Sequence, residues 1–250
     1  MRIKNLSPTS SPTPWVRGSG ATIITGSMCT GSVRYWAAAL MAGTVIIDAD
    51  ERHLPLRHSH HRYCIDGPNG MQKLTVPLVG ETDNMATPMR EVRISEHGNW
   101  RRLHWGALYS AYGRTPYFDH IAPDLEAIII NGHQTHLLEL NTQLQQLIVD
   151  FMDLPITFNA QGLLNAQCPS AKHGRNSQFS NPNSQLRIED LRGKIEGKKG
   201  DDLPIADVPY YQVWAMRHGF VPHLSILDLL MNEGREGIFT LMQMTEVKPC

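Results

Sequence analysis

Twelve histidines in a chain of 250 residues are the first candidates for chemistry. His58, His60 and His61 fall within four residues, and His133 and His136 stand at the i, i+3 spacing of one helix face. Neither group brings the third or fourth ligand that zinc sites use, so both are read as solvated histidines and no metal is expected. His104 differs because it shares an apolar stripe with Trp100, where an imidazole must be hydrogen-bonded in a core or face a cleft. In the first case it packs; in the second it is a candidate general base. Around a Gly-x-x-Pro break, Tyr109, Tyr112, Arg114, Tyr117 and Phe118 concentrate aromatic faces and a guanidinium, a set that stacks a sugar as readily as it builds an amphipathic core. Arg187, Arg192, Lys198 and Lys199 could clamp a phosphate, or simply solvate a loop. Cys29, Cys64, Cys168 and Cys250 stand far apart without a Cys-x-x-Cys pair and are read as free thiols. No Gly-x-Ser-x-Gly elbow, Walker loop, His-Glu-x-x-His or kinase signature occurs, so the standard nucleophile and NTPase classes lack a motif.

The elements that must position these groups follow from composition and period. Hydrophobic residues make up 41% and charged residues 19%, ordinary globular usage, and 23 Lys and Arg against 24 Asp and Glu leave no global field for a nucleic acid or an anionic membrane. No apolar run approaches the ~18 residues of a spanning helix, and the default compartment is the cytoplasm. Residues 1–18, with Pro8, Pro12 and Pro14, read as a disordered tail, and residues 19–250 as a single domain. The β-branched runs at 21–26 and 44–48, with a helix from Ser32 to Gly43 between them, predict a parallel βαβ unit, whose loop at 27–32 lies where open sheets bind ligands. That loop is not a Gly-x-Gly-x-x-Gly, so dinucleotide binding is unsupported. A strand at 62–65, five turn formers and an alternating Leu74, Val76 and Leu78 predict a hairpin, with another short strand at 92–94. Asn99 is a candidate N-cap for a helix with Trp100, Leu103, His104, Ala107, Leu108 and Ala111 on its buried stripe. A longer helix over 135–152 would bury Leu137, Leu140, Leu144, Leu147, Ile148 and Phe151. Residues 165–207 are polar and read as a loop or lid. Ser225 and Asp228 have capping-box spacing for a helix stopped by Gly234. The fold class is therefore α/β: a parallel-sheet βαβ start, an inserted hairpin region and C-terminal helices.

The run Arg62-Tyr63-Cys64-Ile65-Asp66-Gly67-Pro68-Asn69-Gly70, followed by Leu74-Thr75-Val76-Pro77, resembles the central signature of the WbqC-like family. Trp100, His104 and Ser110-Ala111-Tyr112-Gly113-Arg114-Thr115-Pro116-Tyr117-Phe118 match its Trp-to-His and Tyr-x-x-x-Pro-Tyr-Phe stretches. Asp190-Leu191-Arg192, Lys198-Lys199, Tyr210-Tyr211-Gln212-Val213 and the run from Gly219 to Leu230 resemble its C-terminal block. The resemblance implies a role in bacterial surface-polysaccharide (O-antigen) biosynthesis, with a glycine-transferase activity suggested. Where the family carries Arg-Asn-Arg before the hairpin, this chain reads His60-His61-Arg62, and Leu56-Arg57-His58 replaces a Lys-Gln-Ser-like stretch.

Under that reading the chain is a transferase placing an aminoacyl group on a small-molecule or lipid-linked sugar. His104 is the candidate catalytic base, and Tyr35, Arg62, Lys73, Tyr112, Tyr117, Lys199, Tyr211 and Asp228 are the candidate substrate contacts. The alternative is a non-catalytic module that holds a glycan precursor or partner enzyme. The two diverge on whether His104 and Arg62 share a pocket with Tyr35 and Tyr112. Nucleotidyl transfer ranks below both and would need phosphate ligands in residues 27–32. The pattern names no cofactor and no oligomeric state.

Overall fold

Two β-branched runs begin the sheet. Thr22–Thr25 (β1) and Thr44–Asp48 (β2) pair in parallel, Thr22 against Thr44 through Thr25 against Ile47, and Val33–Ala42 (α1) crosses between them. Ser32 caps α1 by accepting the Tyr35 amide at 3.2 Å, and Gly43 ends it at a φ of 80°, which a side chain would resist. The helix is buried nearly all round, Tyr35 and Trp36 completely, because Gly237–Glu246 (α7) packs on it opposite the sheet. Ala37, Ala38 and Ala39 keep it slim enough to sit there. The structure is a computed structural model and describes residues 21–52, 58–80, 87–161, 178–180, 187–195, 203 and 205–246. The tail expected at 1–18 lies outside the described residues.

Thr157–Gln161 (β5) runs parallel beside β2, Arg187–Asp190 (β7) runs parallel on the other side of β1, and Gln178–Ser180 (β6) closes the edge antiparallel. The order is β5-β2-β1-β7-β6. β7 falls inside the stretch expected to be loop or lid. It carries a single aliphatic residue, Ile188, and is a strand because its backbone pairs with β1, a tertiary cause that hydrophobic period does not register. Leu191, Ile195 and Ile205 of the same stretch are buried; its other residues lie largely outside the described ones.

Arg62–Gly67 (β3) and Gly70–Thr75 (β4) form the separate hairpin that the turn residues predict, Gly70 at a φ of 97° closing the turn after Pro68 and Asn69. The expected strand at 92–94 contributes isolated bridges, Leu78 to Ile94 and Arg93 to His136, after a 3-10 turn at Met89–Glu91. Trp100–Tyr112 (α2) buries Trp100, His104, Leu108, Ala111 and Tyr112, an i, i+4 row; Leu103, expected on that stripe, is 65% exposed. Asn99 precedes α2 at a φ of 53° without a side-chain cap bond. Phe118–Ile129 (α3), which carries Pro123, is a helix that the sequence pattern does not announce. Leu137–Met152 (α4) buries Leu137, Leu140, Leu144 and Ile148 as expected, yet Asn141 and Gln145 also face inward, and Leu147 and Phe151 are only half-buried. Ala215–His218 (α5), Ile226–Glu233 (α6) and α7 are the last helices among the described residues. No helix among the described residues is long and apolar enough to cross a membrane.

Candidate functional site

Ser225 starts α6 by accepting the Leu227 amide on its hydroxyl at 3.1 Å, and this places Asp228 in the first turn, where the helix dipole favours a carboxylate. A capping box would return that carboxyl to the Ser225 amide. The amide instead donates to the Cys64 carbonyl at 2.8 Å, and the Asp228 side chain turns into the core. There Tyr112, in the last turn of α2, donates to Oδ1 at 2.8 Å. Tyr210 and Gln212 donate to Oδ2 at 2.7 and 3.1 Å. Gln212 is held by Val221, to whose carbonyl it donates and from whose amide it accepts, both at 2.9 Å. The Tyr112 hydroxyl also accepts the Asp66 amide at 3.2 Å, so one phenol joins β3 to α6 and brings two buried acids, Asp66 and Asp228, to either side of it.

Burial pushes the Asp228 carboxyl up to about 6; the bonds from Tyr210, Tyr112 and Gln212 oppose the rise, and the Asp66 charge adds to it. Burial also raises Asp66, against the nearby His218 and the Gly67 amide. The Tyr112 and Tyr210 phenols are raised by burial and by the Asp228 charge. A carboxyl that titrates near neutrality can take and return a proton at physiological pH, which is the property of general acid–base groups.

A second charged cluster closes the carboxyl end of the sheet. Arg192 donates through Nε and Nη2 to Asp190 at 3.0 and 2.6 Å and through Nη1 to Asp48 at 2.5 Å, tying β7 to β2 across β1. Burial raises Asp190, but the bonds from Arg192 outweigh it and hold the carboxyl below its usual range; burial raises Asp48 despite the same guanidinium. The loop at 27–32 is filled by protein. His60 Nδ1 donates to the Ser27 carbonyl at 2.5 Å, Gln145 to Met28 at 3.1 Å, Trp36 to Thr30 at 2.7 Å and the Ile226 amide to Gly31 at 3.0 Å. The Cys29 and Val33 amides donate to Ser59 and Leu224. Residues 27–31 are buried and the carbonyls of Ser27, Met28, Thr30 and Gly31 are taken by protein donors, so the loop is packed into the core and not open at the end of the sheet. At Gly26 a Cβ would collide with Glu51 and the His60 ring, so the glycine lets those side chains approach the strand end. His60 and His61, expected to be solvated, are both buried, and His60, one of the residues departing from the family pattern, clamps this loop.

Of the predicted site residues, the structure brings together Tyr112 and Asp228. His104 sits apart from this network. It is 4% exposed, donates from Nε2 to the Thr75 carbonyl at 3.0 Å and accepts on Nδ1 from Tyr63 at 3.1 Å. Trp100 and Tyr63 meet its ring edge-on, and burial lowers it to about 4 against the Thr75 bond. Both nitrogens are engaged, so no lone pair faces a substrate. Eight residues along α2 separate it from Tyr112, about 12 Å. Tyr35 is wholly buried against Trp36 in the core, Tyr117 is half-buried over Gly234, and Tyr211 is 61% exposed. Arg62 and Lys73 fall on one face of the hairpin, opposite Thr75 and Cys64 respectively, Arg62 half-buried and Lys73 exposed. Arg192, offered as a phosphate clamp, is taken by two carboxylates, and Lys198 and Lys199 lie outside the described residues. Among the described residues no group of three His, Cys, Asp or Glu could hold a metal. Sequence reasoning missed Asp66, hidden in a turn-forming run, and Tyr210, passed over for its neighbour.

The WbqC-like protein family matches residues 33–184. The chain belongs to that family. It is also similar to "Uncharacterized protein Rv1507c" of Mycobacterium tuberculosis (strain ATCC 25618 / H37Rv), 27% identical over 201 residues that cover 75% of this chain and 83% of the relative. No solved structure matches.

Proposed function

Starting from membership of the WbqC-like family, we propose that the chain is a transferase of surface-polysaccharide biosynthesis. It moves an aminoacyl group, glycyl in the role suggested for the family, onto a hydroxyl or amine of a small-molecule or lipid-linked sugar precursor in the cytoplasm. The observation that supports this reading is the Asp228 carboxyl, buried, raised to about 6 and joined to three donors beside a second acid. Acyl transfer forms a bond from the acceptor oxygen or nitrogen to the donor's carbonyl carbon and breaks the bond to the leaving group. The acceptor gives up a proton and the leaving group takes one. Asp228 serves as the group that holds that proton. Of its three partners Tyr210 alone is partly exposed, so the Tyr210 hydroxyl is the link between substrate and carboxyl. Arg62 and Lys73 supply a cationic hairpin face for the precursor's phosphate.

The test is the composition of the surface polysaccharide, read by mass spectrometry, in a deletion strain complemented with wild type, Asp228→Asn or Tyr210→Phe. Wild type restores the aminoacyl substituent; Asp228→Asn, present at normal level and folded by circular dichroism, does not. A normal polymer with Asp228→Asn would overturn the catalytic reading in favour of the binding module.

A further inference from the structure

Asp66 is completely buried, and apart from the Gly67 amide, which lies close enough to pull its carboxyl down, no donor among the described residues meets either carboxylate oxygen. The other donors nearby are committed elsewhere. Tyr112, Tyr210 and Gln212 all donate to Asp228, and His218, across the turn, is within 3.2 Å of the Gly67 carbonyl through Nε2. The Asp66 amide is satisfied by Tyr112, so the under-satisfied part of the residue is the carboxyl alone. A buried acid short of donors is costly, and such groups persist where a ligand completes them. The second acid has acceptor capacity left for the same ligand, because Oδ1 of Asp228 takes one donor where Oδ2 takes two.

We propose that Asp66 and Asp228 form the seat of a primary ammonium group carried by the substrate. The chemistry selects this class. The open positions are all acceptors, so the ligand must be a donor, and a buried acid pair calls for a cation. A primary ammonium offers three N–H bonds on one atom: two meet the Asp66 oxygens and the third meets Oδ1 of Asp228. A sugar hydroxyl offers one hydrogen and no charge. A divalent metal would need more ligands than two carboxylates supply, and no third acidic, histidine or cysteine side chain among the described residues completes a set. The segment that carries Tyr210, Gln212, Trp214 and His218 lies over the seat. Besides the bonds to Asp228, its Trp214 indole donates to the Ala111 carbonyl at 3.0 Å, which anchors the segment on the end of α2.

Which ammonium this is rests on the transferase reading: an aminoacyl group presents its α-amine one carbon from the carbonyl that is attacked. Asp66 would then bind the donor group and leave the acceptor to the Tyr210 side.

The experiment titrates glycinamide, cationic near neutral pH, into the full-length protein, with uncharged acetamide as control. The expected result is saturable binding of glycinamide, none of acetamide, and at least about tenfold weaker glycinamide binding in Asp66→Asn. The carboxyl carbon of Asp66, followed by NMR in wild-type protein, shifts with glycinamide and needs no variant to fold. Equal binding of acetamide, unchanged binding in Asp66→Asn, or an Asp66 carboxyl that ignores glycinamide would overturn the proposal. If Asp228→Asn loses the polysaccharide substituent while glycinamide fails to bind, the transferase reading stands and the ammonium seat falls. Glycinamide binding that depends on Asp66, beside a polymer unchanged by Asp228→Asn, keeps the seat and removes the transferase.

Discussion

Tyr112→Phe removes a single oxygen from the most connected point of the buried network. That oxygen donates to Asp228 at 2.8 Å and accepts the Asp66 amide at 3.2 Å, and the residue has no solvent exposure. Leaving the Asp66 amide without an acceptor costs about 1–3 kcal/mol, and losing a bond to a charged carboxylate about 1.5–3 kcal/mol. The two effects share one hydroxyl and are not fully additive, so the expected loss is about 3–5 kcal/mol where Asp228 is ionised. Asp228 titrates at about 6 in the folded protein, so the charge-dependent part is present at about pH 8 and largely gone near pH 5, where the carboxyl is protonated. For a domain of this size the thermal midpoint falls by roughly 8–15 °C at the higher pH and by clearly less at the lower. Circular-dichroism melts at both pH values check this. A variant within about 1 °C of wild type at both would refute the network, and an equal loss at both would refute the ionised state of Asp228.

His104→Gln is expected to lower the melting temperature by losing a bond to Tyr63 or Thr75, with polysaccharide modification falling only in proportion to the unfolded fraction; loss of modification in a fully stable variant would restore the ring as a catalyst. Leu140→Ala should cost about 2–5 kcal/mol and Leu147→Ala under about 1.5 kcal/mol, since Leu147 lines an open groove with Ile128 and Phe151; urea melts giving the reverse order would mean the helix face is misassigned. Arg192→Met leaves Asp48 and Asp190 without their cation, at roughly 2–3 kcal/mol for a guanidinium a quarter exposed. Arg192 holds Asp190 below its usual range, so that stabilisation is present above about pH 4 and lost as the pH falls further; denaturant melts across that range should show the two proteins converging.

Elements whose ends are chemically marked were legible from sequence. Ser32 and Gly43 bracket α1, and Ser225 and Gly234 bracket α6, in the structure as in the pattern. The buried face of α4 was harder because Asn141 and Gln145 look like solvent residues. They face inward to donate to Ser27, His60 and Met28, acceptors that only the folded loop places there. β7 was invisible for a related reason: Arg187–Asp190 becomes a strand by pairing with β1. At the site, Tyr112 and Asp228 were named but their meeting was not, since 116 residues separate them. Tyr211 was chosen over Tyr210, although neighbours in an extended segment face opposite sides and Tyr210 is the one on Asp228. Asp66 sits among turn formers in the sequence, yet it belongs to β3 and the turn is made by Pro68 and Asn69.

The carboxyl of Asp228 can be titrated directly by carbon-detected NMR on aspartate-labelled protein, with Asp228→Asn identifying the resonance. Its ordinary value is 3.8, and burial between Tyr112, Tyr210 and Asp66 is expected to place the midpoint near 6. A raised acid makes the folded protein less stable as the pH climbs from about 4 to about 6, by about 3 kcal/mol in full, and Asp228→Asn should remove that slope. A midpoint at or below about 4, with a stability profile unchanged in Asp228→Asn, would contradict an acid poised for proton transfer at this site.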